Sequence, residues 1–200
     1  MKAVKKELGL SDEVLNEFFT KRKRLIEDVE TGKTKLDVDA NGKKRKYGDQ
    51  TRSSNYAEMK IDDYFETQTF KIGMNKGTLK RISTSTVATL DDAIIKGIDG
   101  IYEFSTPPPK YVITEVKYNT ATLSKTITKS GGSQMSEIWV EFDLRKGAVT
   151  PEIADDILIH GYEPLLCNVS KTGTVSVEQI RQTTTSASKG TTWLGKIVNN

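Results

Sequence analysis

The chain is poor in the residues that most often carry hydrolytic chemistry: its 200 residues include one cysteine, Cys167, and one histidine, His160. A lone cysteine excludes an internal disulfide framework and any cysteine-based zinc site. A lone histidine excludes a paired-histidine acid–base mechanism. Cys167, inside the apolar run LLCNV, reads as a small buried residue, and His160, closing ADDILIH, reads as a cation at a helix C-terminus. No stretch approaches the roughly 18 apolar residues that a membrane span needs, and the opening MKAVKKELGLSDEV has no apolar secretory segment. A piece of a larger exported protein would lack one equally. Hydrolytic chemistry in this chain would have to rest on carboxylates, lysines and a metal ion.

The length suits one compact domain with an N-terminal arm rather than two full domains. Hydrophobic residues make up 36% of the chain, polar for a globular protein yet above the disordered range, so it should fold. The net charge of +3 is too mild to name a partner, but its distribution says more. Two tetrabasic clusters, Lys21, Arg22, Lys23, Arg24 and Lys43, Lys44, Arg45, Lys46, lie within 26 residues. Such runs suit a polyanion, because each neutralised phosphate releases condensed counterions. The bland origin of either run is a solvated surface.

The spacing predicts a helix over 11–30, with Val14, Leu15, Phe18, Phe19, Leu25, Ile26 and Val29 at helical intervals and Ser11 as N-cap. Residues 31–54 are polar and turn-rich, an exposed loop or a hairpin with DANG at its tip. This divides the chain into a helical, basic arm over 1–54 and a compact domain over 55–200. NYAEMKIDDYFETQTF reads as a second helix from Asn55, GMNKG as a short loop, and RISTSTVATL as a strand or extended loop. IDGIYEF (98–104) and KYVITEVKY (110–118) read as strands, separated by STPPP, whose prolines cannot donate to a ladder. QMSEIWVEFDLRK reads as helical, and TPEIADDILIH as a helix opened by Pro151. GYEPLLCNVSKTGTVSVEQI reads as a β-hairpin turning at KTG. The tail after it is low in apolar content apart from Trp193, Leu194, Ile197 and Val198. The order is that of a mixed α/β or α+β fold.

Strand alternation puts Glu115 and Lys117 on one face, with Val112, Thr114 and Val116 on the other. Asp99 lies between Gly97 and Gly100 in the preceding strand, and a short hairpin would bring it beside Glu115. Two carboxylates so close repel unless they share a cation or a proton. A hard cation held there polarises a phosphoryl oxygen and acidifies water. Lys117, kept charged by the carboxylates, would serve as an electrostatic clamp on the phosphorane rather than as a neutral base. Taken alone, E-x-K in a strand is more commonly a cross-strand charge pair.

GIDGIY (97–102), PPKYVITEVKY (108–118) and QMSEIWV (134–140) appear in the order and spacing of a known group. Over about residues 55–180 the chain resembles the C-terminal nuclease domains of bacterial polymorphic toxins. These include contact-dependent inhibition effectors of the PD-(D/E)xK, restriction-endonuclease-like superfamily. The resemblance implies a mixed central sheet flanked by helices, and a D…E-x-K core formed by Asp99, Glu115 and Lys117. Ile98 stands where the superfamily pattern has proline. It also implies a glutamate from the preceding helix, matched by Glu58, although Asn55-x-x-Glu58 equally fits a capping box. Gln134 and Ser136 match a block beside the family's site; they fit phosphate or water ligands, or helix-start hydrogen-bonding groups. The function so implied is a metal-dependent endonuclease using Mg2+ or Mn2+, with Zn2+ the alternative. It would be part of an exported toxin acting on DNA, or on transfer RNA, in the cytoplasm of a competing cell, and restrained by a cognate immunity protein. A non-catalytic nucleic-acid-binding module is the remaining alternative.

Overall fold

A computed structural model of the chain describes residues 12–198. Ser11, the expected N-cap, lies outside them. Helix α1 (Asp12–Glu30) and helix α2 (Thr51–Thr67) precede strands β1 (Thr69–Ile72), β2 (Asn75–Arg81), β3 (Gly100–Phe104) and β4 (Tyr111–Tyr118). Helix α3 (Glu137–Asp143) runs into one π-helical turn (Leu144–Ala148), and helix α4 (Pro151–His160) follows. Strands β5 (Glu163–Val169), β6 (Val175–Gln182), β7 (Ala187–Thr192) and β8 (Lys196–Ile197) complete the chain. The fold is mixed α/β, with four helices and one eight-stranded mixed sheet among the described residues.

The sheet runs β7-β6-β5-β4-β3-β2-β1-β8, antiparallel everywhere except between β4 and β5. A parallel neighbour requires a crossover, and α3, the π turn and α4 supply it. Strands β7 and β8 are the two outer strands, yet only Trp193, Leu194 and Gly195 separate them in sequence. The four steps from Thr192 to Lys196 reach about 14 Å at most, so the sheet has to curl until its margins approach. Trp193 sits at that closure, 5% exposed, packing on Phe65 and Phe70 with ring centroids 5.8 and 5.5 Å away.

Two cores form, one on each face. The first gathers α2 (Met59, Ile61, Phe65) against Phe70, Leu79, Tyr102, Phe104, Val112, Leu165 and Cys167. Each large side chain fully buried there contributes about 1.5–3 kcal/mol. The second packs α3 and α4 (Trp139, Val140, Ala154, Ile157) on Ile101, Tyr111, Ile113 and Leu166. Cys167 is buried and free. His160 closes the last turn of α4, its Nδ1 3.0 Å from the Asp156 carbonyl.

Helix α1 packs onto α2. Ile26 joins the first core, Lys60 pairs with Glu30 at 2.6 Å, and Arg22 pairs with Asp62 at 2.5 Å. Residues 39–43 form a small turn, in which Asp39 accepts from the Asn41 and Lys43 amides (2.9 Å each) beside a Val38–Lys44 bridge. Helix α2 starts four residues ahead of the expected Asn55, because Asp49 Oδ1 accepts the Thr51 N–H at 3.0 Å.

Candidate metal and nucleic-acid site

The register of β3 on β4 pairs Gly100 with Thr114, so the next step outward sets Asp99 opposite Glu115. Glu115 and Lys117 project from the face of β4 that carries Tyr111 and Ile113, while Val112 and Val116 face α2. Lys117 Nζ donates to Glu115 Oε1 at 2.6 Å. Gln134, from the loop before α3, donates its Nε2 to the same oxygen at 2.7 Å. Its own Oε1 accepts from Lys117 Nζ at 3.2 Å and from the Ser124 amide at 3.0 Å. One side chain thus aligns the acid, the amine and the 119–133 loop.

Asp99 Oδ2 accepts the Val116 N–H at 2.7 Å, which fixes that carboxyl against β4. Glu115 is 2% exposed, and its Oε2 is buried with no hydrogen-bond donor. Burial first, then the adjacent Asp99 charge, pushes the Glu115 carboxyl well above the usual carboxylate range. Burial likewise raises Asp99, against the opposing Val116 amide and Lys117 ammonium. A buried acceptor without a donor, in a carboxyl that a second raised carboxyl repels, costs folding free energy unless the two share a proton or a cation.

Glu58 stands on α2. Asn55 lies inside that helix and donates to the Leu90 and Asp92 carbonyls (3.0 and 2.8 Å), so no capping box engages Glu58. Burial and then the Asp99 charge push Glu58 up to about 8. Asp99 is thus felt by both Glu115 and Glu58. Among the described residues, however, no three His, Cys, Asp or Glu side chains converge closely enough to hold a metal ion by themselves. Two carboxylates plus water is the donor set that Mg2+ or Mn2+ accepts, since such ions keep several waters. It does not suit a closed, four-ligand zinc site. The Asp99–Glu115 pair therefore fits a hard divalent cation.

The basic clusters divide. Lys21, Lys23 and Arg24 are exposed on α1, whereas Arg22 is 4% exposed and turned inward onto Asp62, so its charge serves the core. Lys43, Lys44 and Lys46 are exposed, whereas Arg45 is held by Asp49 (3.0 Å) and Asp91 (2.9 Å). Ser136 precedes α3, but its hydroxyl is buried without a hydrogen-bond partner and makes no cap bond.

Several site neighbours escaped the sequence reading. Asn168 lies beside Lys117 in the parallel β4–β5 register, its amide oxygen buried and unpartnered. Arg81 donates to the Asp99 carbonyl and pairs with Asp62. No local pattern marks them, since their partners lie 18 and 19 residues apart in sequence.

Comparison with protein-family models, curated proteins and solved structures yields no match for this chain.

Proposed function

We propose that this chain is a metal-dependent endonuclease that hydrolyses phosphodiester bonds, with DNA as its substrate. The observation that carries this reading is the buried, donorless Oε2 of Glu115, in a carboxyl that burial and the Asp99 charge raise, with Lys117 locked on its other oxygen. Asp99 and Glu115 would hold the cation. When bound, such an ion supplies Lewis-acid polarisation of a phosphoryl oxygen and a more acidic water. Lys117 offsets the negative charge that develops on the phosphorane, and Gln134 keeps Lys117 and Glu115 aligned. Glu58 adds a third carboxylate within electrostatic reach of Asp99.

A helix carrying Glu58, then an antiparallel pair presenting Asp99 opposite E-x-K, then helices covering a mixed sheet, supports the restriction-endonuclease-like reading. With it comes the role of an exported bacterial toxin acting in the cytoplasm of a competitor and checked by an immunity protein. Such a partner would present acidic groups to Lys117 and the exposed lysines of the two clusters.

The test is incubation with supercoiled plasmid and with total RNA, each in Mg2+ or Mn2+, with and without chelator. The expected result is plasmid cleavage that the chelator stops. RNA cleavage alone would move the substrate to RNA. Retained binding with no cleavage of either would leave a binding module.

A further inference from the structure

Asp99 lies one residue ahead of β3, next to Gly100 and two residues after Gly97, whose φ of +136° is open mainly to glycine. Backbone of this kind does not hold a carboxylate still by itself. Its carboxyl is fixed by the Val116 amide, and its carbonyl is fixed separately. Arg81, the last residue of β2, donates Nη2 to the Asp99 carbonyl at 2.7 Å and to the Ser85 carbonyl at 2.7 Å. Its Nη1 pairs with Asp62 Oδ1.

The support behind Arg81 is itself buried. Asp62 is 1% exposed and accepts from Tyr102 Oη at 2.5 Å and from Arg22 at 2.5 Å. Burial would raise this carboxyl, but the Arg81 and Arg22 guanidiniums outweigh burial and hold it below the ordinary range. A buried ion pair is weak as a source of stability, because desolvation offsets much of its attraction. A planar fork whose two arms hold different partners does something a hydrophobic pair would not. It sets distance and angle.

Building on the metal-nuclease reading, we propose that Arg81, clamped by Asp62 and Tyr102, is a positioning residue that holds Asp99 by its backbone carbonyl and so sets where the Asp99 carboxylate meets the cation. Arg81 does not touch the cation or substrate. It acts through Asp99.

The experiment is titration calorimetry of the full chain with Mn2+, for the unaltered protein and Arg81→Lys, alongside thermal melts and steady-state cleavage. Lysine keeps the charge beside Asp62 but loses the fork. The expected result is a Mn2+ Kd weaker by about tenfold or more, the scale found when outer-shell partners of metal ligands are removed. The kcat should fall with KM little changed, and excess Mn2+ should partly restore the rate in a protein that still melts cooperatively. Equal Mn2+ affinity in Arg81→Lys overturns the inference while leaving the nuclease reading intact. No Mn2+ binding by the unaltered protein overturns both. If Arg81→Lys fails to fold, Tyr102→Phe decides, since it removes only the hydroxyl bracing Asp62. A weaker Mn2+ Kd in this variant supports the clamp, and an unchanged Kd contradicts it.

Discussion

Lys117 and Gln134 converge on one oxygen of Glu115, at 2.6 and 2.7 Å, and leave its other oxygen buried with no hydrogen-bond partner. One carboxylate is thereby divided into a satisfied half and an unsatisfied half.

Gln134→Ala removes the link among Glu115, Lys117 and the Ser124 amide. Cleavage should fall roughly tenfold to a hundredfold, the scale seen when a partner that orients a metal-site group is removed. Amide hydrogen exchange at Ser124 should accelerate, because its acceptor is gone. Unchanged exchange at Ser124 would show that the loop is held by other contacts.

The metal-free protein should lose stability as pH rises from about 4.5 to about 8. Glu58 is raised to about 8 by burial and by Asp99, so the folded state binds more protons than the unfolded chain across that window. Stability is then complete below the unfolded value and declines as pH rises through the folded one. Asp99 and Glu115, both raised, act in the same direction. Thermal melts in chelator should give a higher midpoint at pH 5 than at pH 8, and Glu58→Gln should flatten the difference. A midpoint that rises with pH would contradict the assignment.

The two halves of the first basic cluster should behave differently. Arg22→Ala strands the buried Asp62 carboxylate with one partner fewer and should cost about 3–5 kcal/mol. Lys23→Ala, on the exposed face, should change stability by no more than about 0.5 kcal/mol. It should lower the salt dependence of nucleic-acid binding by roughly one phosphate contact. Denaturant melts and binding at several salt concentrations measure both.

Trp193→Ala should cost about 3–5 kcal/mol, as for other buried aromatics. The indole fills the closure between the two margins of the sheet against Phe65 and Phe70. Guanidinium unfolding followed by far-ultraviolet dichroism measures it, and a loss under about 1 kcal/mol would mean the closure is held elsewhere.

Much of this architecture was legible in the residues, for identifiable reasons. Alternation in YVITEVKY set Glu115 and Lys117 on one face, and STPPP forced β3 and β4 to be separate strands. Pro151 marked the start of α4, and KTG lies in the turn between β5 and β6. The β1–β2 hairpin was missed. GMNKG reads as a loop, but only Gly73 and Met74 turn, Gly73 at φ +59°, while Asn75, Lys76 and Gly77 are already paired. Strand β7 was missed because ASKGTT is exposed on both faces and so carries no alternation. The Arg22–Asp62–Arg81 cluster was invisible because charge in a sequence reads as surface until the fold buries it.

The most direct measurement is the Mg2+-dependent cleavage rate of Asp99→Asn and Glu115→Gln beside the unaltered protein. Each change is near-isosteric and removes one charge from the pair. In both variants the rate should drop by about a hundredfold or more. At pH 8 their metal-free forms should melt no lower than the parent, because each change removes a carboxyl that burial and its neighbour disfavour ionising. Cleavage at the parent rate by either variant would contradict a cation held between these two carboxylates.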